Sequence, residues 1–457
     1  MFKPGWVFAL FLVSLNSFAG DVLKAGFSEI PFDLPDGTPL GGYGTGPRRL
    51  AKPDLSLLHR SSLFNPALGT RDLVRAKALV LTRGKEKLAF LSLDLVAVSA
   101  GFRKELVRRL KLQGYSFKNL MVSATHTHSG PGALSHNLFW AAIALDFYRK
   151  PVFEAVLRAA VDAVIVAEHH ATPAVLSYSK ANVGGIQHNR HGHPDRVDPG
   201  AKLLWAKSTE GSLLGVLANF AIHGTALDEE NLFFSADVPG AIEHSLVDSM
   251  RELNRARGFR EASEPVALFL NGAEGDVLPD REGADALPWV GAIFSNAAMS
   301  SLEGAKPVAS GWSVDERRIP LPVPGMNIKN CINEFRPDKK NAALKLFTKD
   351  SALHLAALFF PLHTRIARIR FGGLQMLTWP GEPTTQLGWN LRDLALENGA
   401  ADTMILGLTN DHLGYFLTSD EFYEGGYEGC FSFYGARGGE KIIGRYRKLI
   451  EECSSLE

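Results

Sequence analysis

Short runs of leucine and β-branched residues alternate with longer stretches whose apolar residues recur every three or four positions, and this continues through most of the 457-residue chain. The alternation constrains the fold more than any single motif does, because strand-length runs and helical periodicities in turn build sheets covered by helices. Strands are expected at Ala76 to Leu81, Leu88 to Leu93, Leu120 to Ser123, Leu213 to Ile222, Val266 to Leu270, Leu374 to Trp379 and Met404 to Leu408. Helical spacing covers Phe102 to Leu112, Pro151 to Ala167, Val238 to Leu253, Trp289 to Leu302 and Pro383 to Leu396, with Asp237 and Pro239 marking a helix start. The pattern predicts an α/β fold with one or more mixed sheets flanked by helices. A hydrophobic content of 46% supplies ample material for a large core.

The residues just past each strand are more informative than the strand itself. His126 and His128 come after the third, His223 after the fourth, Glu274 and Asp276 after the fifth, Glu382 after the sixth, and Asn410 and Asp411 after the seventh. Ligands in sheets with helical crossovers gather outside the carboxyl ends of strands, so these scattered polar groups are expected to converge.

Within that set, Ala124-Thr125-His126-Thr127-His128-Ser129-Gly130-Pro131-Gly132 has metal-site spacing. If the strand persists through the histidines, side chains at i and i+2 leave the same face and both rings reach one point. The three cysteines, Cys331, Cys430 and Cys453, lack CxxC spacing. They allow one disulfide with one residue left over, and metal ligands are therefore sought among His, Asp, Glu and Tyr.

Residues 1–19 read as a signal peptide, with Lys3, an apolar run from Trp6 to Leu15, and small residues at Ser17 and Ala19. Export to the periplasm or beyond is expected. Lysine plus arginine equals aspartate plus glutamate at 49 each, so charge gives no support to nucleic-acid binding. No later segment is long enough to span a bilayer, and Leu353 to Leu362 reads as a buried or lipid-facing helix, compatible with peripheral membrane contact. Residues 306–348, rich in proline and charge, read as an insertion or elaborated loop inside a domain covering 20–457.

THTHSGPG, FAIHGT around His223, NGAEGDVLP, WPGEPTTQLG and NDHLGYFLTSDEFYEGGYEG together resemble the catalytic domain of neutral ceramidases, from about Lys24 to about Gly435. The family is one of zinc amidases acting on the N-acyl bond of ceramide. The resemblance implies one zinc ion per chain held by His126, His223, Glu382 and Tyr427, with His128, Arg190 and Tyr415 as catalytic groups, His128 relaying a proton or holding an oxyanion. By their chemistry alone, two neutral nitrogens and oxygen ligands suit zinc. Arg190 lies in QHNRHGHP, whose His188, His191 and His193 offer a second, adventitious metal site.

The resemblance has two departures. Leu278 stands in the GDVLPD loop where the family carries a serine with a direct catalytic role, and the chain stops soon after Cys453, where the family commonly adds an immunoglobulin-like domain. Metal-activated water can carry the hydrolysis without that serine, or a hydroxyl such as that of Ser235 can substitute. The expected function is an exported zinc-dependent amidohydrolase cleaving ceramide or a related N-acyl lipid. Two alternatives stay open: a catalytically impaired lipid- or glycan-binding protein on the same scaffold, and a metallohydrolase acting on a different amide or ester.

Overall fold

The computed structural model describes residues 21–54, 62–260, 262–335, 352–353 and 358–454. The signal-peptide reading of 1–19 therefore lies outside the described residues.

The larger sheet contains β1 (Leu23–Pro31), β2 (Arg75–Arg83), β3 (Glu86–Leu93), β4 (Asn119–Ala124), β5 (Thr172–Asn182), β6 (Gly200–Ser208), β7 (Leu213–Phe220) and β8 (Val266–Asn271). Their spatial order is β8-β7-β6-β5-β1-β2-β3-β4, with Lys306–Pro307 adding a short pairing to β5. The two ends of the sheet are parallel pairs, β7 with β8 and β3 with β4, while the ladders between them are antiparallel. A second sheet has the order β9 (Ser313–Pro320), β10 (His363–Phe371), β11 (Leu374–Thr378), β12 (Asp402–Leu406), and its last pair is parallel.

Each sheet buries both faces, which explains the near-continuous apolar runs in the sequence. Along β2, Ala76, Ala78 and Val80 face one core while Leu79 and Leu81 face another. The second core joins the sheets face to face, with Leu79, Phe90, Leu204 and Leu268 meeting Ile369, Met376 and Met404. On the outer side of the larger sheet lie α1 (Ala100–Leu112) with α2 (Lys150–His169), and α3 (Asp237–Ala256) with α4 (Ala286–Ser301). On the outer side of the smaller one lie α5 (Thr385–Glu397) and α6 (Gly438–Ser454). The layers therefore run helix, sheet, sheet, helix.

All seven expected strands and five expected helices occur, with ends shifted by a few residues. Within the stretch 306–348, Ser313–Pro320 is β9 and pairs along its length with β10, while 336–348 lie outside the described residues. Of the segment Leu353 to Leu362, expected as an apolar helix, residues 354–357 lie outside the described residues, and Leu353 with Ala352 forms a short strand paired with Met326–Asn327. No helix among the described residues is long and apolar enough to cross a membrane.

Candidate metal centre

The carboxyl ends of β3, β4, β7, β8, β11 and β12 meet at one end of the sandwich. Backbone bonds stitch the exits together: Ala124 N–H donates to Leu408 O, Asn410 N–H to Val122 O, and Gly407 N–H to Asn271 O. The convergence expected from the strand exits is thus a property of the two sheets together.

β4 stops at Ala124, so the two histidines are not presented by a continuing strand. His126 instead has φ 68°, a left-handed conformation uncommon outside glycine. This turn, rather than a two-residue pleat, brings His126 Nε2 to 3.4 Å from His128 Nε2. Arg48, fully buried, donates to the carbonyls of His128, Asp228 and Asn231 and so ties the turn to the segment before α3. Gly224 lies against the turn, and a Cβ there would sit 2.7 Å from His126 O.

His126 Nδ1 is 2.6 Å from Val96 O, and His223 Nδ1 is 2.9 Å from Val277 O. A carbonyl only accepts, so each Nδ1 carries the hydrogen and, in the neutral ring, each Nε2 keeps its lone pair. Those Nε2 atoms lie 3.2 and 3.5 Å from Glu382 Oε2, an oxygen that is buried and without a hydrogen-bond partner. Three buried lone-pair atoms thus face one another, all within 4.8 Å, with no hydrogen to separate them. A cation satisfies that arrangement. Burial raises Glu382, but the charge of His126 and hydrogen bonds from His126, His223 and His412 bring it well below the usual carboxylate range, an effect that needs hydrogen on the facing nitrogens wherever no cation takes its place. His223 is pushed down to about 4, chiefly by burial.

Around this trio stand the other expected residues. Burial, reinforced by His126 and His223, keeps His128 well below the ordinary imidazole value, and its Nδ1 has no hydrogen-bond partner. Arg190 Nη2 lies 3.3 Å from His223 Nε2 and its Nη1 lies 3.0 Å from the buried Glu428. Burial opposes the Arg190 charge, but Tyr415, Glu428 and Tyr427 raise its pKa above the ordinary value. The Tyr415 hydroxyl is 3.4 Å from His223 Nε2. The Tyr427 ring is 5.7 Å from that of Tyr415 between centroids, with the Arg190 guanidinium 4.9 Å from its centroid.

The three histidines flanking Arg190 do not share a point: His188 pairs with Asp280, His191 with Glu428 and His193 with Glu424. Among the described residues His126, His223 and Glu382 are the group that could hold a metal ion. Leu278 lies on a short strand opposite His188, while its neighbour Val277 anchors His223. The Ser235 hydroxyl is committed to Asp72 and to the amide of Asp237 at the start of α3. Sequence reasoning missed His412, Glu428 and Arg48, although His412 directly follows Asn410 and Asp411 at an exit already singled out.

The sequence pattern of the family described as neutral/alkaline non-lysosomal ceramidase, N-terminal, matches residues 61–292, half of the chain. The chain belongs to this family. A neutral ceramidase of Mycobacterium tuberculosis is 25% identical over 447 residues, covering 80% of this chain and 69% of that protein. One from Pseudomonas aeruginosa is 26% identical over 243 residues, covering 50% of this chain but 35% of its own length. The crystal structure of neutral ceramidase from Pseudomonas aeruginosa superposes with a TM-score of 0.76 at 18% identity, covering 94% of this chain and 74% of that one. A structure described as ceramidase complexed with C2 gives 0.75 over 94% of this chain and 75% of its own. At that identity the superpositions establish the ceramidase fold.

Proposed function

We propose that this member of the ceramidase family is an exported, zinc-dependent amidohydrolase that cleaves the N-acyl bond of ceramide or a related N-acyl lipid. The observation that carries the reading is the cluster of two oriented imidazole lone pairs and one orphaned carboxylate oxygen, a donor set suited to zinc. Export is supported by the leader-like N-terminus and by the Cys331–Cys430 disulfide, which belongs in an oxidising compartment.

His126, His223 and Glu382 would hold the ion, and the fourth ligand is better assigned to Tyr415 than to Tyr427, because the Tyr415 hydroxyl lies 3.4 Å from His223 Nε2 while the contact that places Tyr427 is with Arg190. Zinc there supplies Lewis-acid polarisation of the amide carbonyl and a water whose pKa falls to about 7. His128, neutral near pH 7, takes up a proton at Nε2 and returns it to the leaving amine. Arg190, held in place by Glu428, presents a fixed cation to the oxygen on which negative charge develops. Tyr427 packs against Arg190 and limits its swing. Leu278 supplies neither nucleophile nor hydrogen bond, so attack by water replaces any role of a serine at that position.

The test is mass-spectrometric detection of free fatty acid and sphingoid base from ceramide, using the mature chain stripped by chelator and then restored with zinc. Product that appears only after zinc supports the reading. Tyr415→Phe should weaken zinc binding more than Tyr427→Phe, and the reverse order would return the ligand role to Tyr427. Leu278 favours one second reading, a lipid-binding protein without turnover. Ceramide bound at one equivalent of zinc with no product released would select it.

A further inference from the structure

His412 has no place in the chemistry above, yet it touches the metal site. Its Nε2 lies 2.8 Å from Glu382 Oε1, the carboxylate oxygen that does not face the histidine pair. The side chain is 11% exposed and packs against the Trp140 ring, 5.0 Å away between centroids. Its backbone is held from both sides. Asp411 Oδ1 accepts from the His412 amide at 3.0 Å and from Ala100 N–H at 3.1 Å, at the start of α1, while Asp411 Oδ2 accepts from the Thr364 hydroxyl. The next residues pair with the turn that carries Glu382: Leu413 N–H donates to Pro380 O, and Glu382 N–H donates to Gly414 O. The imidazole is therefore presented to Glu382 by a rigid frame that includes the backbone of Glu382 itself.

A carboxylate on a free rotor offers a cation either oxygen, or both. With Oε1 engaged by His412, Oε2 alone remains for the point where His126 Nε2 and His223 Nε2 meet. We infer that His412 is a positioning residue, which locks the rotation of Glu382 and makes it a one-oxygen ligand. The inference rests on the metal-site reading proposed above. Outer hydrogen-bond partners of metal ligands typically govern affinity by about 10- to 100-fold.

The experiment measures zinc affinity of the full chain by competition with a chromophoric chelator, together with the visible spectrum of the cobalt(II)-substituted protein and the melting temperature of the metal-free protein. His412→Leu removes the donor, and His412→Gln replaces it with an amide N–H of similar reach. The expected result is a loss of zinc affinity of about 10- to 100-fold for H412L, with H412Q staying within a few-fold of wild type. The cobalt bands should weaken in H412L, as the freed carboxylate raises the coordination number, and be retained in H412Q. Unchanged affinity and spectrum in H412L would overturn the inference. So would equal losses in both variants accompanied by equal drops in metal-free melting temperature, since packing alone would then explain them. A wild-type chain that takes up no zinc overturns the metal-site reading, and this outcome is distinct because it appears before any variant is compared.

Discussion

Two neighbouring residues at the metal centre face similar burial with opposite consequences. Glu382 keeps its charge because three imidazoles surround it, whereas Glu274, also fully buried, has no hydrogen-bond partner on either oxygen and is raised well above its ordinary 4.5 by burial and by the charge of Glu382. A carboxyl raised in the folded state contributes stability that is complete below the unfolded value of about 4.5 and drains away as pH rises toward the folded value. Glu274→Gln should therefore gain stability over wild type as pH increases above that point, by up to about 1.4 kcal/mol per unit. Urea unfolding of both proteins at pH 5 and pH 8 checks this, and a difference that does not grow with pH would refute it. His128 gives the complementary prediction for activity. His128→Ala should lower kcat by about 10²- to 10⁴-fold while zinc content, read by atomic absorption, stays at the wild-type level.

At the scale of elements, the site is built from strand exits whose turns are shaped by backbone rather than by side-chain propensity. Gly224 is the sharpest case, since a methyl group there would meet both His126 O and the Thr127 Cα within 2.8 Å. Neither is the far end of a flexible side chain, so the left-handed turn at His126 would have to move. Gly224→Ala should lose zinc affinity by more than tenfold, as 1 Å errors in a preorganised site are costly, with circular dichroism still showing the native helix content. Retained affinity would show that the turn yields. The histidine spacing in the sequence drew attention to this turn through a pleat the chain does not form, and the imidazoles that meet Glu382 Oε2 are those of His126 and His223. Nothing in Thr-His-Thr-His reveals that the strand ends two residues before His126, because the left-handed turn depends on Arg48 and Gly224, which lie far away in the sequence.

For the whole molecule, stability is tied to links between layers. Lys77 on β2 is buried with Asp94, just past β3, and with Glu243 on α3, at 3.1 and 2.6 Å. Lys77→Met would leave two carboxylates sharing one buried pocket and should cost roughly 3–5 kcal/mol at pH 7. The loss should shrink as pH falls and the carboxyls protonate, which denaturant midpoints across pH 5–8 would show. The disulfide clamps the helix Ile328–Phe335 to the helix Gly426–Cys430, which carries Tyr427 and Glu428. Replacing Cys331 and Cys430 with serine together should destabilise the fold by about 2–4 kcal/mol. An unchanged unfolding midpoint would show that the clamp adds nothing.

Seven strands, five helices and the concentration of polar residues at strand exits were legible in the chain, because periodicity is a local property and survives without coordinates, whereas β1, β5 and β6 in the middle of the larger sheet were not singled out. The polar strands β9 and β10 were also less visible, since Ser313–Pro320 and His363–Phe371 carry charged residues on both faces and so lack the apolar alternation of a half-buried strand. Which polar residues meet was decided by tertiary structure. Glu382 and His126 are separated by 256 positions and touch only because β11 and β4 end at the same rim of two stacked sheets. The approach of the Tyr415 hydroxyl to His223, the separation of His188, His191 and His193 onto different carboxylates, and the contact of His412 with Glu382 all come from that stacking. Distances of a few ångströms between distant segments are set by packing across the core, which no spacing along the chain encodes.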